Sequence, residues 1–307
     1  MSTILIGVEA SERSEDAIAF GRRLADVAGA HVVVANAYPY QALPSRASNA
    51  AYREALRDDA LEITRRMRDA LERLNDDETL IRVIADPSPA KALHHLAHAE
   101  QAALVIVGSS HTGRAGRVLP GSTGERMLHG APCSVAVVPK DYRTHADQPI
   151  RRIGVAYDDS DEARAALASA VSLARALDAE LEIIGIVSTE TFSTPAAMGA
   201  PGIASLRSDI ERHIQDLIDK VAAEVPADVA ATASRATGDP EELLTARTEK
   251  LDLLVMGSRG YGPLHAVLVG GLSGRMVRTA HCPVIVVPRG IESPLETLFG
   301  PATTATA

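Results

Sequence analysis

Short runs rich in Val, Ile and Leu alternate along this chain with longer stretches in which apolar positions return at helical spacing. The runs predict strands over 3–8, 31–36, 80–85, 103–108 and 134–138, and the amphipathic stretches predict helices over 12–28, 49–74, 88–100 and 121–130. A second series of strands is predicted over 152–157, 181–187, 228–234, 252–257 and 283–287, again with helices between them. Steady alternation of strand and helix favours an α/β class with a parallel sheet covered on both faces. KDYRTHADQPI, residues 140–150, is polar without periodicity and reads as a linker. From residue 291 the sequence IESPLETLFGPATTATA carries no amphipathic pattern and reads as a mobile tail.

The two series are copies of one pattern. LVIVGSSHTGRAGRVLPGSTGERMLHGAPCSVAVVP (104–139) and LLVMGSRGYGPLHAVLVGGLSGRMVRTAHCPVIVVP (253–288) run in register 149 residues apart. Gly108 answers to Gly257, Gly121 to Gly270, Arg126 to Arg275, Cys133 to Cys282 and Pro139 to Pro288. The opening 38 residues resemble the stretch from Arg151 onward, with Gly7 aligned to Gly154 at a separation of 147. Asp86-Pro87 and Asp239-Pro240 each close a short apolar run and open a helix. The organisation expected is a domain over 1–143, a linker over 144–150, a second domain over 151–290 and a tail over 291–307. Long loops follow the second strand of each copy, YPYQALPSRASN and STETFSTPAAMGAPGIAS, at the end of the sheet where open α/β sheets bind ligands.

Composition narrows the classes. With 46% hydrophobic residues, no Trp and only three Phe, the cores are made of Val, Ile, Leu and Ala. No run approaches the roughly 18 apolar residues of a membrane span, and no leader pattern precedes the first strand, so the expectation is a cytoplasmic protein with no membrane partner. A net charge of −9 argues against nucleic acid, which needs a basic face to displace counterions. The mixed charges of Arg65, Arg66, Arg68, Asp69, Glu72 and Arg73 read as a solvated helix face. Cys133 and Cys282, each opening a last apolar run, read as buried structural thiols rather than a bridge or a redox switch. His94 and His98 have the spacing of a metal pair but lack a third ligand, so no metal site is assigned.

The chemistry concentrates in a glycine loop. In the second copy Gly257-Ser258-Arg259-Gly260-Tyr261-Gly262 is followed by Gly270-Gly271-Leu272-Ser273 and a helical pattern. Glycines allow a phosphate to approach the main chain, and a helix start offers unpaired N–H groups to negative charge. Tight turns between strand and helix explain the same glycines without any ligand. No GxxxxGK[ST] P-loop, GxSxG elbow or ordered Ser, His and Asp set occurs, so neither a P-loop NTPase nor a hydrolase has motif support, and no catalytic residue is assigned.

Glycine, two residues, glycine, nine residues, glycine and a small residue, then a helix and a Cys-Pro-Val strand: this pattern resembles the universal stress protein family, in tandem over residues 1–290. The resemblance implies two Rossmann-like domains, doubly wound with a five-stranded parallel sheet each, arranged as a pseudo-dimer through their last strands. It also implies ATP binding, with Mg²⁺ accompanying the phosphates, and a regulatory rather than enzymatic role. Carried over residue by residue, Asp158 lies against the nucleoside and Ile186 offers its main chain to the adenine edge. Gly257, Gly260, Gly270 and Gly271 match the phosphate loop, although Gly271 stands where the family has Ser or Thr; Ser273 is the substitute hydroxyl and Arg259 a candidate phosphate contact. In the first copy Glu9 replaces the Asp, Ala37 takes the adenine-edge position, Gly108, Gly121, Ser122 and Thr123 are retained, and His111 replaces the second loop glycine beside Gly113. The expected partners are an adenine nucleotide, AMP and a cyclic nucleotide remaining open, an unidentified protein, and a second copy of the tandem chain. A scaffold that holds no nucleotide and a slow ATPase are the competing readings.

Overall fold

The computed structural model describes residues 2–38, 40, 46–71, 79–109, 123–128, 130–189, 203–258, 271–288, 290 and 294–300. The first half runs β1 (Thr3–Gly7), α1 (Glu12–Ala28), β2 (His31–Tyr38), α2 (Arg46–Asp69), β3 (Thr79–Ala85), α3 (Pro89–Ala99), β4 (Ala102–Gly108), α4 (Thr123–Met127) and β5 (Ser134–Val138). The second runs β6 (Arg152–Ala156), α5 (Asp161–Leu177), β7 (Glu180–Ser188), α6 (Ile203–Glu224), β8 (Ala231–Gly238), α7 (Pro240–Thr248), β9 (Leu253–Gly257), α8 (Leu272–Thr279) and β10 (Val284–Val287), followed by α9 (Pro294–Phe299).

All strands join one ten-stranded sheet in the order β3-β2-β1-β4-β5-β10-β9-β6-β7-β8. Pairing is parallel within each half and antiparallel at the seam, where Val284, Ile285 and Val286 face Val137, Ala136 and Val135. Every residue of β5 and β10 is buried, so the seam covers the two most apolar edges by pairing them. The expected pseudo-dimer is thus a continuous sheet. Because the halves meet antiparallel, their strand carboxyl ends open at opposite edges of that sheet.

Strand residues alternate between two cores. Ile4, Ile6, Leu104, Ile106, Ile153, Val155 and Ile285 pack under α1, α2, α5, α6 and α9. Leu5, Val105, Val107, Val135, Leu254 and Val286 pack under α3, α4, α7 and α8. Each core crosses the seam without a break.

Several expectations are corrected. The opening strands were aligned through Gly7 and Gly154, but Val8 N–H donates to Ala35 O at 2.8 Å where Tyr157 N–H donates to Ile184 O at 2.9 Å. Val8 and Tyr157 are therefore equivalent, and the separation is 149 here as in the glycine loop. A slip of two residues leaves the in–out alternation of a strand unchanged, so hydrophobic pattern alone does not detect it. β8 lies at Ala231–Gly238 rather than 228–234, because ATASRATG is a polar edge strand with no apolar run to mark it. The linker is docked: Tyr142–His145 forms a 3₁₀ turn, Tyr142 packs edge-on against Phe20 with centroids 5.5 Å apart, and Ile150 is buried. The tail expectation fails over Pro294–Phe299, which form α9 with Leu295, Leu298 and Phe299 in the first core.

Candidate functional site

At the end of β6 the chain turns through Asp158 and Asp159, the latter in the left-handed region at φ 63°. Asp158 Oδ1 accepts from Ser160 Oγ at 2.6 Å and from Ser160 N at 3.2 Å, while Ser160 Oγ caps α5 by accepting from Ala163 N at 3.2 Å. This fixes an exposed carboxylate at the mouth of the sheet. The bond from Tyr157 N to Ile184 O places Ile186, half-buried on β7, two residues beyond the contact that anchors the Asp158 turn. Tyr157 O–H donates to Asp159 Oδ1 at 3.1 Å, and Arg164 reaches the same atom at 2.8 Å and Asp161 at 3.0 Å. Desolvation, then the Asp159 carboxylate, raises the Tyr157 phenol above its ordinary range. The first half has Val8, Ala10 and Glu15 at the equivalent positions, so this network belongs to the second half alone.

β9 delivers Gly257 and Ser258 beside the same turn. Ser258 N–H donates to Val287 O at 2.9 Å, and its hydroxyl is buried without a partner among the described residues. A buried hydroxyl in that state is costly unless something binds it, which makes Ser258 a further site candidate. The Gly-Ser pair that ends both β4 and β9 was its sequence signal. α8 opens at Gly271, which has no side chain to cap the helix, so among the described residues its first N–H groups meet no N-cap side chain. Ser273 is buried in the first turn. An added Cβ at Gly274 would meet nothing within 4 Å. Uncapped amides and an orphaned hydroxyl are donors, the chemistry that a phosphate ligand needs.

The first half repeats this plan with other atoms. Ser11 Oγ donates to Glu9 Oε1 at 2.9 Å, and the buried Ser14 hydroxyl accepts from Glu9 N at 2.7 Å and donates to Glu9 O at 2.8 Å. Asn36 Nδ2 donates to Val8 O at 2.9 Å, and Ala37 lies half-buried opposite Ile84. Thr123 heads α4, a helix of five residues. Gly121, Ser122, Arg259, Gly260 and Gly270, with His111 and Gly113, lie outside the described residues.

Gly108 and Gly257 have a reason of their own to be glycine. A Cβ on Gly108 would lie 2.4 Å from Arg13 O, and one on Gly257 would lie 2.6 Å from the Glu162 carbonyl. The first turn of each following helix presses on the strand end, so packing accounts for both glycines whether or not a ligand binds.

Other candidates fall elsewhere. Cys133 and Cys282 are free and buried, and burial pushes each thiol up to about 12. His94 Nε2 lies 2.8 Å from Met127 O, which requires that nitrogen to carry the proton. A cavity of about 730 Å³ opens between α1 and the docked linker, lined by Arg22, Arg23, Asp26 and Arg143 among others, and includes none of the residues singled out from the sequence.

The family model for universal stress proteins matches residues 1–139 and again 149–288. The chain belongs to the universal stress protein family. Among the relatives of this universal stress protein, one from Mycobacterium tuberculosis is 26% identical over 190 residues, covering 61% of this chain and 65% of that protein. Less than two thirds of that relative's length is therefore spanned. A Bacillus subtilis member is 31% identical over 142 residues, 43% of this chain and 95% of its own length. A universal stress protein structure from Archaeoglobus fulgidus is similar over 94% of this chain and 98% of its own, with TM-score 0.66 and 20% identity. At that identity the likeness establishes the fold.

Proposed function

We propose that this universal stress protein binds an adenine nucleotide at the carboxyl end of its second half and regulates by the occupancy of that site, without turnover. The observation that carries the reading is the meeting of two kinds of group at one sheet end. The Asp158 carboxylate, held by Ser160 beside the β7 main chain, is an acceptor for sugar hydroxyls or an adenine amino group. The uncapped Gly271 helix start and the orphaned Ser258 hydroxyl are donors for phosphate. A ligand with hydroxyls at one end and anionic oxygens at the other matches both, and Mg²⁺ would accompany the phosphates of the bound nucleotide. No helix of the described residues is long and apolar enough to cross a membrane.

Isothermal titration of the purified chain, stripped of carried-over nucleotide, with Mg-ATP tests this reading. Saturable heat is expected, and Asp158→Ala should weaken the second-half site by roughly tenfold or more, the scale of a charge-assisted hydrogen bond. Absence of both heat and a thermal shift in the unmodified chain would sink the proposal and leave a scaffold role.

A further inference from the structure

Asp158 is flanked on both sides by residues that lock its turn. Tyr157, buried just after β6, precedes it, and Asp159 follows it in the left-handed region at φ 63°. Tyr157 O–H donates to Asp159 Oδ1 at 3.1 Å, so the two neighbours of Asp158 are joined to each other. Arg164, the fourth residue of α5, donates through Nη2 to the same Asp159 oxygen at 2.8 Å and through Nη1 to Asp161 Oδ1 at 3.0 Å. The guanidinium thereby ties the turn to the start of the helix that Ser160 caps. A residue other than Gly is held in the left-handed region by its surroundings, and at Asp159 these include a phenol and a guanidinium that share one of its oxygens.

Three features separate this set from ordinary surface pairing. Stability does not account for it, since the Arg164 side chain is 54% exposed and that of Asp159 45%, and pairs this open contribute little. The repeat does not account for it either. At the equivalent positions of the first half Val8 has no hydroxyl, Ala10 no carboxylate and Glu15 no donor. The braced turn also abuts the other part of the candidate site, because the start of α5 lies against the end of β9: a Cβ on Gly257 would stand 2.6 Å from the Glu162 carbonyl. One short stretch, residues 157–164, therefore sets the Asp158 carboxylate relative to the strand end that carries Ser258.

We propose that Tyr157, Asp159 and Arg164 are positioning residues of the second half's ligand site: they hold the Asp158 turn in its binding arrangement before the ligand arrives, and do not touch the ligand themselves. The proposal rests on the nucleotide reading given above. Ser160 orients the Asp158 carboxyl group, whereas Tyr157 and Arg164 fix the backbone that carries it. A carboxylate on an unbraced turn must be ordered during binding, and that ordering subtracts from affinity; a turn already ordered in the empty chain avoids the loss. Arg164 has two carboxylates as partners, Asp159 and Asp161, which suits a brace better than a phosphate contact.

Calorimetric titration of the full-length chain with Mg-ATP, run beside Tyr157→Phe, Arg164→Ala, Arg164→Lys and Asp158→Ala, tests the assignment. Tyr157→Phe and Arg164→Ala should each weaken binding about tenfold, the scale of one hydrogen bond to a charged group. Arg164→Lys keeps a cation beside Asp159 and should recover most of that loss. The decisive variant is the double one: Arg164→Ala placed on Asp158→Ala should weaken binding no further than Asp158→Ala alone, because a brace has no effect once the group it holds is gone. Melting of the empty chain should be unmoved by Arg164→Ala, which separates the loss of affinity from any loss of fold. Additive losses in the double variant would overturn the positioning role and make Arg164 a direct ligand contact. Unchanged affinity in Tyr157→Phe and Arg164→Ala, with the Asp158→Ala loss intact, would overturn it and leave the nucleotide reading standing. No binding of Mg-ATP by the unmodified chain would overturn both.

Discussion

Three pairs of side chains show how residue type and surroundings divide structure from chemistry. Gly108 and Gly257 stand in the pattern that suggests a phosphate loop, yet the backbone of Arg13 and of Glu162 occupies the space a Cβ needs. Gly108→Ala and Gly257→Ala should each destabilise the fold by about 1–3 kcal/mol, because backbone must shift to admit the methyl. Thermal melts of the ligand-free chain check this, and unchanged midpoints would show that the glycines are free for a ligand role alone. Asp16 and Arg164 make the opposite contrast. Asp16 is fully buried, accepting from Asp141 N at 3.1 Å and Arg143 N at 2.9 Å and pairing with the Arg143 guanidinium at 3.3 Å. Arg164 is more than half exposed although its ion pairs with Asp159 and Asp161, at 2.8 and 3.0 Å, are shorter than that of Asp16 with the Arg143 guanidinium. Burial decides between them: Asp16→Ala should cost about 2–3 kcal/mol in chemical denaturation, whereas Arg164→Ala should leave the midpoint within experimental scatter. Equal effects would refute that ordering. The two cysteines carry a pH dependence. With folded values near 12, above the ordinary thiol value of 9.0, the folded chain holds protons that the unfolded chain releases. Their contribution is fully present below about pH 9 and is lost as pH rises toward 12, in the same direction as the raised Tyr142 phenol. Urea midpoints should therefore fall across that window, less steeply in Cys133→Ala with Cys282→Ala; an identical alkaline slope in the double variant would exclude the thiols as its source.

Elements with a strong local period were legible, and those defined by contact across the sequence were not. β1, β2, β4 and β5 lie where Val and Ile runs place them, and α1 and α5 begin at Ser11 and Ser160, polar residues suited to a helix start. In the candidate site, Asp158 at the end of β6 and Ile186 on the adjacent β7 were named from the family resemblance rather than from any local pattern. Ser258 went unnoticed because an orphaned hydroxyl exists only once the surrounding chain has closed over it. The docked linker was missed for a related reason. KDYRTHADQPI has no period, but Arg143 pairs with Glu12 at 3.0 Å and Glu15 at 3.4 Å, and Arg23 donates to the carbonyls of Ala146 and Gln148. Ion pairs between segments more than a hundred residues apart leave no trace in a local window. α9 was lost because six residues are too few to display an amphipathic stripe. Its burial nevertheless makes a definite demand. Leu295 has no exposed surface, so Leu295→Ala should cost about 2–5 kcal/mol by thermal or urea unfolding, where a mobile tail would show almost none. A change under half a kcal/mol would mean that α9 does not hold its place in solution.

The molecule as a whole is expected to unfold as one cooperative body, because its repeats share a sheet and two cores and cover what each would otherwise leave open. β10 is apolar along its full length and β5 from Val135 onward, and either half alone would present such a strand as an unpaired edge. The outer edge at β8 differs from these. β8 carries Thr232, Ser234, Arg235 and Thr237 and is tied to α6 by the Arg235–Glu211 pair at 3.2 Å, features that discourage further pairing. The antiparallel seam also turns the two sheet mouths away from each other, so a ligand at one cannot touch the other, and any communication between them must pass through the common core and the seam strands. α9 strengthens this unity, since it follows the second repeat in sequence but packs on α1 and β4 of the first as well as on α5. A fragment of residues 1–147 would lose β10 and α9 together, exposing β5 and the apolar surface beneath α9. The expected outcome is self-association through β5 with itself, seen as a dimer or larger species in size-exclusion chromatography with light scattering, while the intact chain keeps β5 covered. The antiparallel geometry of the natural seam already shows that β5 accepts a partner strand in the orientation a two-fold dimer requires. A fragment that stays monomeric and melts cooperatively at the temperature of the full chain would show that the seam joins two independent domains, and that burial of β5 is not what binds the halves into one body.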